Sequence, residues 1–405
     1  MLKTYRILTA CLFLALVVSC VITTWPLNNY GKDYGGISQS AEESANNISG
    51  QAHAINCNYD DENPAPECQH AMTMATSRPT LARENATFVT LARNSDLDGL
   101  LDTIRSVEDR FNHKYHYDWV FLNEEPFSEK FKQHTSRLIS GQVKYGVIDS
   151  NHWSYPDWIN QTAAAEVREE MKQMDIIYGD SESYRHMCRF ESGFFYRHPL
   201  MQDYRYYWRV EPDTSLHCDI DYDLFKFMRE NDKSYGFTIT LLEFPATVAS
   251  LWDVTKNFIA HNPQFVAKDS LINFISNDLG NSYNLCHFWS NFEIADMEFW
   301  RSEAYTEYFD YLDQAGGFFY ERWGDAPVHS LAASLFLNAS QIHLFDDVGY
   351  THPPFTHCPQ NALERNLRCS CLPERSFDWE GYSCMRQYYR AQDIPLPEGV
   401  PADTW

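Results

Sequence analysis

The chain has 405 residues, of which 44% are hydrophobic and 15% aromatic, and a formal net charge of -24 at pH 7. The apolar content excludes a chain that is disordered throughout. So strong an acidic balance argues against a nucleic-acid binder, which would show a basic face; the length allows two or three average domains or one large α/β domain.

Ile7 to Leu27 carries no Asp, Glu, Lys, Arg or His, and at about 1.5 Å per residue such a helix crosses a hydrocarbon core of roughly 30 Å. Lys3 and Arg6 precede it without an acid, which keeps residues 1–6 cytoplasmic by the positive-inside rule. A cleaved signal peptide fits less well, because the run is longer than a usual h-region and lacks a small-residue cleavage site. A lipobox-like Leu16-Val-Val-Ser-Cys20 is also present. The favoured reading is an uncleaved type II anchor over 7–27, with everything after it lumenal. The sequons at Asn47, Asn85, Asn160 and Asn338 agree with that side. Nine of eleven cysteines follow the anchor, so most should pair and an odd one should remain. Cys358, Cys369, Cys371 and Cys384 lack zinc-ribbon spacing and read as disulfide staples.

Residues 28–80 are rich in Asn, Gly, Ser, Glu and Pro and read as a stem, in which Cys57 and Cys68 would close a small loop. The folded domain is expected over 81–405. Phe88–Ala92 reads as a strand, and Leu97–Phe111 as a helix capped by Asn94-Ser-Asp. Asp118–Asn123 is a second strand followed by a helix over Glu124–His134, and Tyr145–Ile148 a third strand. Such alternation implies a parallel, doubly wound sheet. Ala163–Met174 is a helix by propensity, whereas Ser181–Phe190 has no clean period. Tyr206-Tyr-Trp-Arg-Val-Glu-Pro-Asp213 is an aromatic strand that Pro212 should end. Helices are expected over Asp219–Asn231, Thr247–Ile259, Met297–Asp313 and Leu331–Leu337, with a strand over Tyr235–Leu241. Gly316–Ser330 and Gly349–Pro359 read as loops. Neither a P-loop nor a GxGxxG is present, so the phosphate cradles of kinases and Rossmann enzymes are missing.

Glu211 and Asp213 stand two apart at the carboxyl end of their strand, where open α/β sheets bind ligands. Paired hard oxygens there suit a divalent ion that also holds substrate phosphates, although solvated acids at a strand end would look the same. The strand itself, Cys218-Asp-Ile-Asp-Tyr222, Phe288–Asp296, Tyr320-Glu-Arg-Trp-Gly-Asp-Ala-Pro-Val-His-Ser330 and His352–Pro359 together closely resemble the fungal Golgi α-1,2-mannosyltransferases, glycosyltransferase family 15. The resemblance runs from about Ala86 to the C-terminus. It implies a GT-A-type nucleotide-diphospho-sugar transferase fold, with a mixed, mostly parallel central sheet flanked by helices. It further implies a retaining enzyme that moves mannose from GDP-mannose to the 2-hydroxyl of α-mannosides on O- or N-linked glycans of glycoproteins. Such an enzyme would use Mn²⁺ rather than Mg²⁺ and reside in the Golgi membrane.

Carried onto this sequence, the resemblance makes Glu211 a metal ligand, with His352 as its distant partner and Asp213 as a supporting hydrogen-bonding residue. It places the proposed nucleophile on Glu293 and a donor-side phenol on Tyr184. Asp325, in Trp323-Gly-Asp325, would orient or deprotonate the acceptor hydroxyl, or else cap the following helix. Arg209, buried by its strand, would pair with a carboxylate or phosphate. Glu293 has the competing reading of an acid at a helix N-terminus before Met297. Two other functions use the same residues: a calcium-dependent mannose-binding, lectin-like protein, and a glycoside hydrolase built on Glu293 and Asp325.

Overall fold

The computed structural model describes residues 83–363 and 365–400. The expected tail, anchor, stem and Cys57–Cys68 loop lie outside the described residues, and among the described residues no helix is long and apolar enough to cross a membrane. Among the described residues twelve strands are found: β1 Ala86–Leu91, β2 Asp118–Asn123, β3 Val143–Val147, β4 Tyr206–Val210, β5 Ser215–Leu216, β6 Tyr235–Phe237, β7 Thr240–Leu242, β8 Cys286–Phe288, β9 Phe292–Asp296, β10 Ile342–Leu344, β11 Tyr350–His352 and β12 Phe355–His357. The helices of seven or more residues are α1 Leu97–Arg110, α2 Glu129–Leu138, α3 Gln161–Gln173, α4 Glu182–Gly193, α5 Leu224–Glu230, α6 Leu251–His261, α7 Glu303–Ala315, α8 Asp325–Phe336 and α9 Met385–Ala391.

Seven strands form the central sheet in the order β10-β6-β9-β4-β1-β2-β3. All neighbours are parallel except β9, which runs antiparallel to β4 and β6. The sheet is therefore mixed and mostly parallel, as expected. Chain order reverses between β1 and β4, and that reversal opens a crevice at the carboxyl ends of the strands. Strand β4 is buried on both faces. Tyr206, Trp208 and Val210 pack into one core with Phe88 and Trp119, while Tyr207 packs into the other. By the same period-2 alternation, Arg209 shares the Tyr207 face.

Several boundaries moved for identifiable reasons. Helix α2 starts after Pro126, capped by Ser128, whose hydroxyl accepts from the Phe131 amide at 3.2 Å. The aperiodic 181–190 segment is helix α4, buried on most sides, and a helix enclosed all round shows no amphipathic stripe. The expected Met297–Asp313 helix is broken at Ser302, which caps α7. Asp325 opens α8 six residues earlier than the apolar run suggested. Glu293 lies in the interior of β9, not at a helix start; Asp296 caps the short helix there.

Two smaller sheets flank the crevice. One holds β12-β11-β5 and the other β7-β8. The hairpin β11–β12 turns through a cis Pro353–Pro354 peptide. Among the described residues three disulfides hold this end together, Cys218–Cys369, Cys286–Cys384 and Cys358–Cys371, and Cys188 is buried and free. Cys218 lies two residues past the end of β5, and β5 pairs with β11, so the first bridge pins the C-terminal segment close to the strand beside His352. Replacing both Cys218 and Cys369 by Ser should lower stability by about 2–5 kcal/mol in urea unfolding, from the long loop released in the unfolded chain. An unchanged midpoint would show that the β5–β11 pairing needs no tether.

Candidate active site

A cavity of about 390 Å³ opens at the carboxyl edge of β4. Pro212 follows the strand immediately, so Glu211 is the first side chain beyond the ladder on the Arg209 face. The guanidinium of Arg209, with only 6% of its surface exposed, donates to Glu211 Oε1 at 2.5 Å and to Asp325 Oδ2 at 2.5 Å. Asp325 Oδ2 also accepts from the Ser290 hydroxyl at 2.8 Å. The carboxylate thus serves the Arg209 pair and the cavity wall, and no side-chain cap bond to α8 is found.

His352, on β11, brings Nε2 to 3.6 Å from Glu211 Oε2. Its other nitrogen, Nδ1, lies 3.0 Å from the Pro353 carbonyl oxygen. A carbonyl only accepts, so Nδ1 carries a proton and Nε2 is the ring nitrogen turned toward Glu211; burial disfavours charge on the ring, but the Glu211 carboxylate overrides it and raises the pKa. Burial opposes charge on Glu211, but Arg209 and His352 outweigh it and hold the carboxyl at about 2. A carboxylate held ionised and an imidazole nitrogen that face each other across 3.6 Å, a gap too long for a good hydrogen bond, fit a divalent ion held between them once that nitrogen has given up its proton. Among the described residues no group of three or more His, Cys, Asp or Glu side chains is placed to hold a metal ion. An ion on this pair would therefore draw its remaining ligands from a substrate or water.

Tyr184, Arg209, Glu211, Asp325 and His352 all line the cavity. The Tyr184 ring lies under the Arg322 guanidinium, 5.2 Å from centroid to Cζ. Burial raises its phenol well above 10, with only partial relief from Arg322, so the hydroxyl stays protonated and donates hydrogen bonds. Asp213 and Glu293 do not line the cavity. Asp213 is exposed, with a left-handed backbone (φ 61°), and its carboxylate packs against Gly99 in the first turn of α1. Any side chain at Gly99 would strike it, at 2.1 Å.

Glu293 lies beneath the floor with no exposed surface. It is paired in register with Arg209 across β4–β9. Its carboxylate accepts from the Tyr207 hydroxyl, from the Tyr235 hydroxyl at 2.8 Å and from His329 Nδ1 at 2.9 Å. The second His329 nitrogen faces the Glu191 carbonyl at 3.2 Å. Both ring nitrogens meet acceptors, which fits an imidazolium. Burial disfavours that charge, but Glu293 overrides it and raises the pKa.

Glu191 and Glu243 escaped the sequence reading. Glu191 sits on the aperiodic helix α4, 95% buried, with Oε2 4.0 Å from Arg209 Nη1. An acid among the enclosed residues of the last turn of α4 was the available signal. Burial pushes its carboxyl from 4.5 up to about 7 despite Arg209. Below about 4.5 both folded and unfolded chains hold that proton. Between the two values only the unfolded chain releases it, so stability falls as pH rises through the window and levels off above about 7. Glu191→Gln should flatten that slope and raise stability at pH 8 by about 2–3 kcal/mol, read from urea midpoints across the window. A slope identical to that of the unaltered protein would place the titration elsewhere.

Comparison with known proteins follows the same residues. A family profile described as "Glycolipid 2-alpha-mannosyltransferase" matches residues 38–393. Glycolipid 2-alpha-mannosyltransferase 2 of Candida albicans is 60% identical over 77% of this chain and 68% of its own length. Alpha-1,2 mannosyltransferase KTR1 of Saccharomyces cerevisiae is 58% identical over 78% of this chain and 81% of its own. The crystal structure of core-mannan synthase A from Aspergillus fumigatus, in its Mn/GDP form, superposes with a TM-score of 0.73 at 40% identity, covering 78% of this chain and 87% of that one. The mannosyltransferase Ktr4p of S. cerevisiae in complex with GDP gives 0.74 at 37% identity, over 80% and 85%.

Proposed function

The chain belongs to glycosyltransferase family 15, and from that premise we propose that it is a retaining α-1,2-mannosyltransferase. It moves mannose from GDP-mannose to the 2-hydroxyl of an α-mannoside on glycoprotein glycans. The observation that carries this reading is the Glu211–His352 pair facing one cavity at the carboxyl edge of the sheet. Relatives named as mannosyltransferases, and solved relatives holding Mn and GDP or GDP alone, support it.

Glu211 and His352 would hold Mn²⁺, which when bound neutralises charge developing on a leaving diphosphate. Arg209 keeps Glu211 ionised and turned toward that position. The nucleotide would lie over the carboxyl ends of β1 and β2, where a second cavity of about 120 Å³ is lined by Arg93 and Asn123 and shares Met187 with the first. Tyr184, held protonated, donates a hydrogen bond to the leaving phosphate. Asp325 orients the acceptor hydroxyl or takes its proton. Glu293, enclosed by three donors, acts as a positioning residue for the floor under Arg209; a nucleophile would need its carboxylate free at the cavity surface. Asp213 supports the turn after β4 from outside the cavity. The anchor expected over 7–27 would make the protein a single-pass type II membrane protein of the Golgi, and the three disulfides fit an oxidising lumen.

The test is transfer from GDP-mannose to methyl α-mannoside with Mn²⁺, repeated after chelation. An α-1,2-linked product that vanishes with EDTA is expected; no transfer, or full transfer after chelation, overturns the reading. Within that assay, Glu211→Ala should weaken Mn²⁺-dependent GDP binding at least tenfold. Tyr184→Phe should lower kcat by tenfold or more while GDP affinity stays within about threefold, as removal of a hydrogen bond made chiefly in the transition state predicts. Equal loss of both quantities would make Tyr184 a binding residue only.

A further inference from the structure

The turn that joins α3 to α4 carries an aromatic side chain on a strained backbone. Asp175 and Tyr178 both have left-handed conformations, with φ of 52° and 55°. A short polar residue such as Asp visits that region readily, whereas a bulky aromatic residue there is an outlier that glycine would relieve. The turn is nevertheless closely built. The amide of Ile176 donates to the Met171 carbonyl at 3.0 Å, that of Gly179 to the Ile176 carbonyl at 2.8 Å and that of Ser181 to the Tyr178 carbonyl at 3.1 Å. A Cβ on Gly179 would come within 2.7 Å of Met171 Cβ. Burial does not account for the tyrosine, because 54% of its surface stays exposed. A strained position that gains so little burial points to what its side chain touches.

That neighbour is Tyr184. The two rings stack with centroids 4.5 Å apart and 11° between their planes, and both side chains line the cavity. The Tyr184 ring also meets Arg322, whose guanidinium donates to Glu243 Oε1 at 3.4 Å. At the backbone, the Tyr184 amide is fixed by the Ser181 hydroxyl at 3.1 Å, in the first turn of α4. A fixed backbone still leaves a tyrosine two side-chain torsions, so the direction of its hydroxyl depends on what holds the ring. A phenol whose ring is already held gives up less freedom when it donates to a leaving phosphate. We propose that Tyr178 is a positioning residue for Tyr184: its aromatic face fixes the orientation of the Tyr184 phenol, and its left-handed backbone is retained because it puts that face in place. The proposal rests on the donor-side role given to Tyr184 above. The Tyr178 hydroxyl has no part in it.

The experiment compares Tyr178→Phe, Tyr178→Ala and Tyr178→Gly with the unaltered full-length protein, each also combined with Tyr184→Phe. Transfer from GDP-mannose to methyl α-mannoside in Mn²⁺ gives kcat, calorimetry gives GDP affinity and urea unfolding gives stability. Tyr178→Ala and Tyr178→Gly should each lower kcat about three- to tenfold, the range for a lost aromatic pair, while GDP affinity moves by less than about twofold. Tyr178→Phe keeps the ring and should keep kcat within about twofold. Tyr178→Gly should unfold at a higher urea concentration than Tyr178→Ala, because both lose the ring and only glycine relieves the backbone. A purely structural residue would instead give rates that follow stability, with the Gly variant faster than the Ala variant. In the Tyr184→Phe background the same substitutions should change kcat by less than about twofold, since no hydroxyl is left to orient. No transfer by the unaltered protein, or an unchanged kcat in Tyr184→Phe alone, overturns the reading beneath the proposal and the proposal with it. With both of those intact, four outcomes overturn the proposal alone: an unchanged kcat in Tyr178→Ala, rates that follow stability, equal losses in the two backgrounds, or a loss confined to GDP affinity.

Discussion

Everything at the carboxyl edge of the sheet depends on one buried guanidinium. Arg209 donates to Glu211 and Asp325 and stands 4.0 Å from Glu191, so a single cation serves three acids from three elements, the end of β4, the start of α8 and the last turn of α4. Without it, the carboxylates would repel one another in a desolvated space, a situation that costs about 3–5 kcal/mol when one partner of a buried pair is lost. The fork geometry of arginine matters, because two parallel donors leave fixed carboxylate oxygens turned outward. Lysine, a point charge on a flexible stem, would neutralise the acids without orienting them.

Beneath Arg209 a second charge pair repeats the arrangement in reverse. Glu293, the cross-strand partner of Arg209, is enclosed by two phenols and the His329 imidazolium. The indole of Trp300 donates to the Tyr207 hydroxyl at 2.9 Å and so orients one of those phenols. The floor of the cavity is therefore a stack of satisfied charges, and satisfied networks of this kind hold a single geometry. Rigid support of this sort suits a reaction whose main requirement is placement of a leaving group, an acceptor hydroxyl and a metal ion. On the opposite wall, the β11–β12 hairpin is fastened through β5 and the Cys218–Cys369 bridge. His352 consequently meets Glu211 from a separately stabilised piece of chain.

The architecture was legible where periodicity is strong. Strand β2 runs from Asp118 to Asn123 as its pattern indicates, and α1 fills most of the expected Leu97–Phe111 span. Legibility failed where burial is complete. Helix α4 has no polar face to create a stripe, and β9 lies between two strands at the centre of the sheet, so Glu293 gave no sign of being a strand residue. Pairs such as Glu211 and Asp213 look equivalent in sequence. Pro212 is followed by a left-handed Asp213 backbone, which turns the second acid away from the cavity while the first stays on the ladder's face.

The sequence by itself determined the alternation of strands and helices, the carboxyl-edge position of Glu211 and, through long motifs, the family. These are properties of local pattern, and local pattern needs no partner across the fold. Only the tertiary structure decided how near His352 comes to Glu211, a pairing the resemblance had implied, that Asp325 shares Arg209 with it, that Glu293 is sealed under the floor and that Glu191 and Glu243 join the same region. Which side chains meet depends on sheet order and on the packing of distant elements. A carboxylate's role depends in turn on its burial and on which donors reach its oxygens, and neither is encoded at its own position.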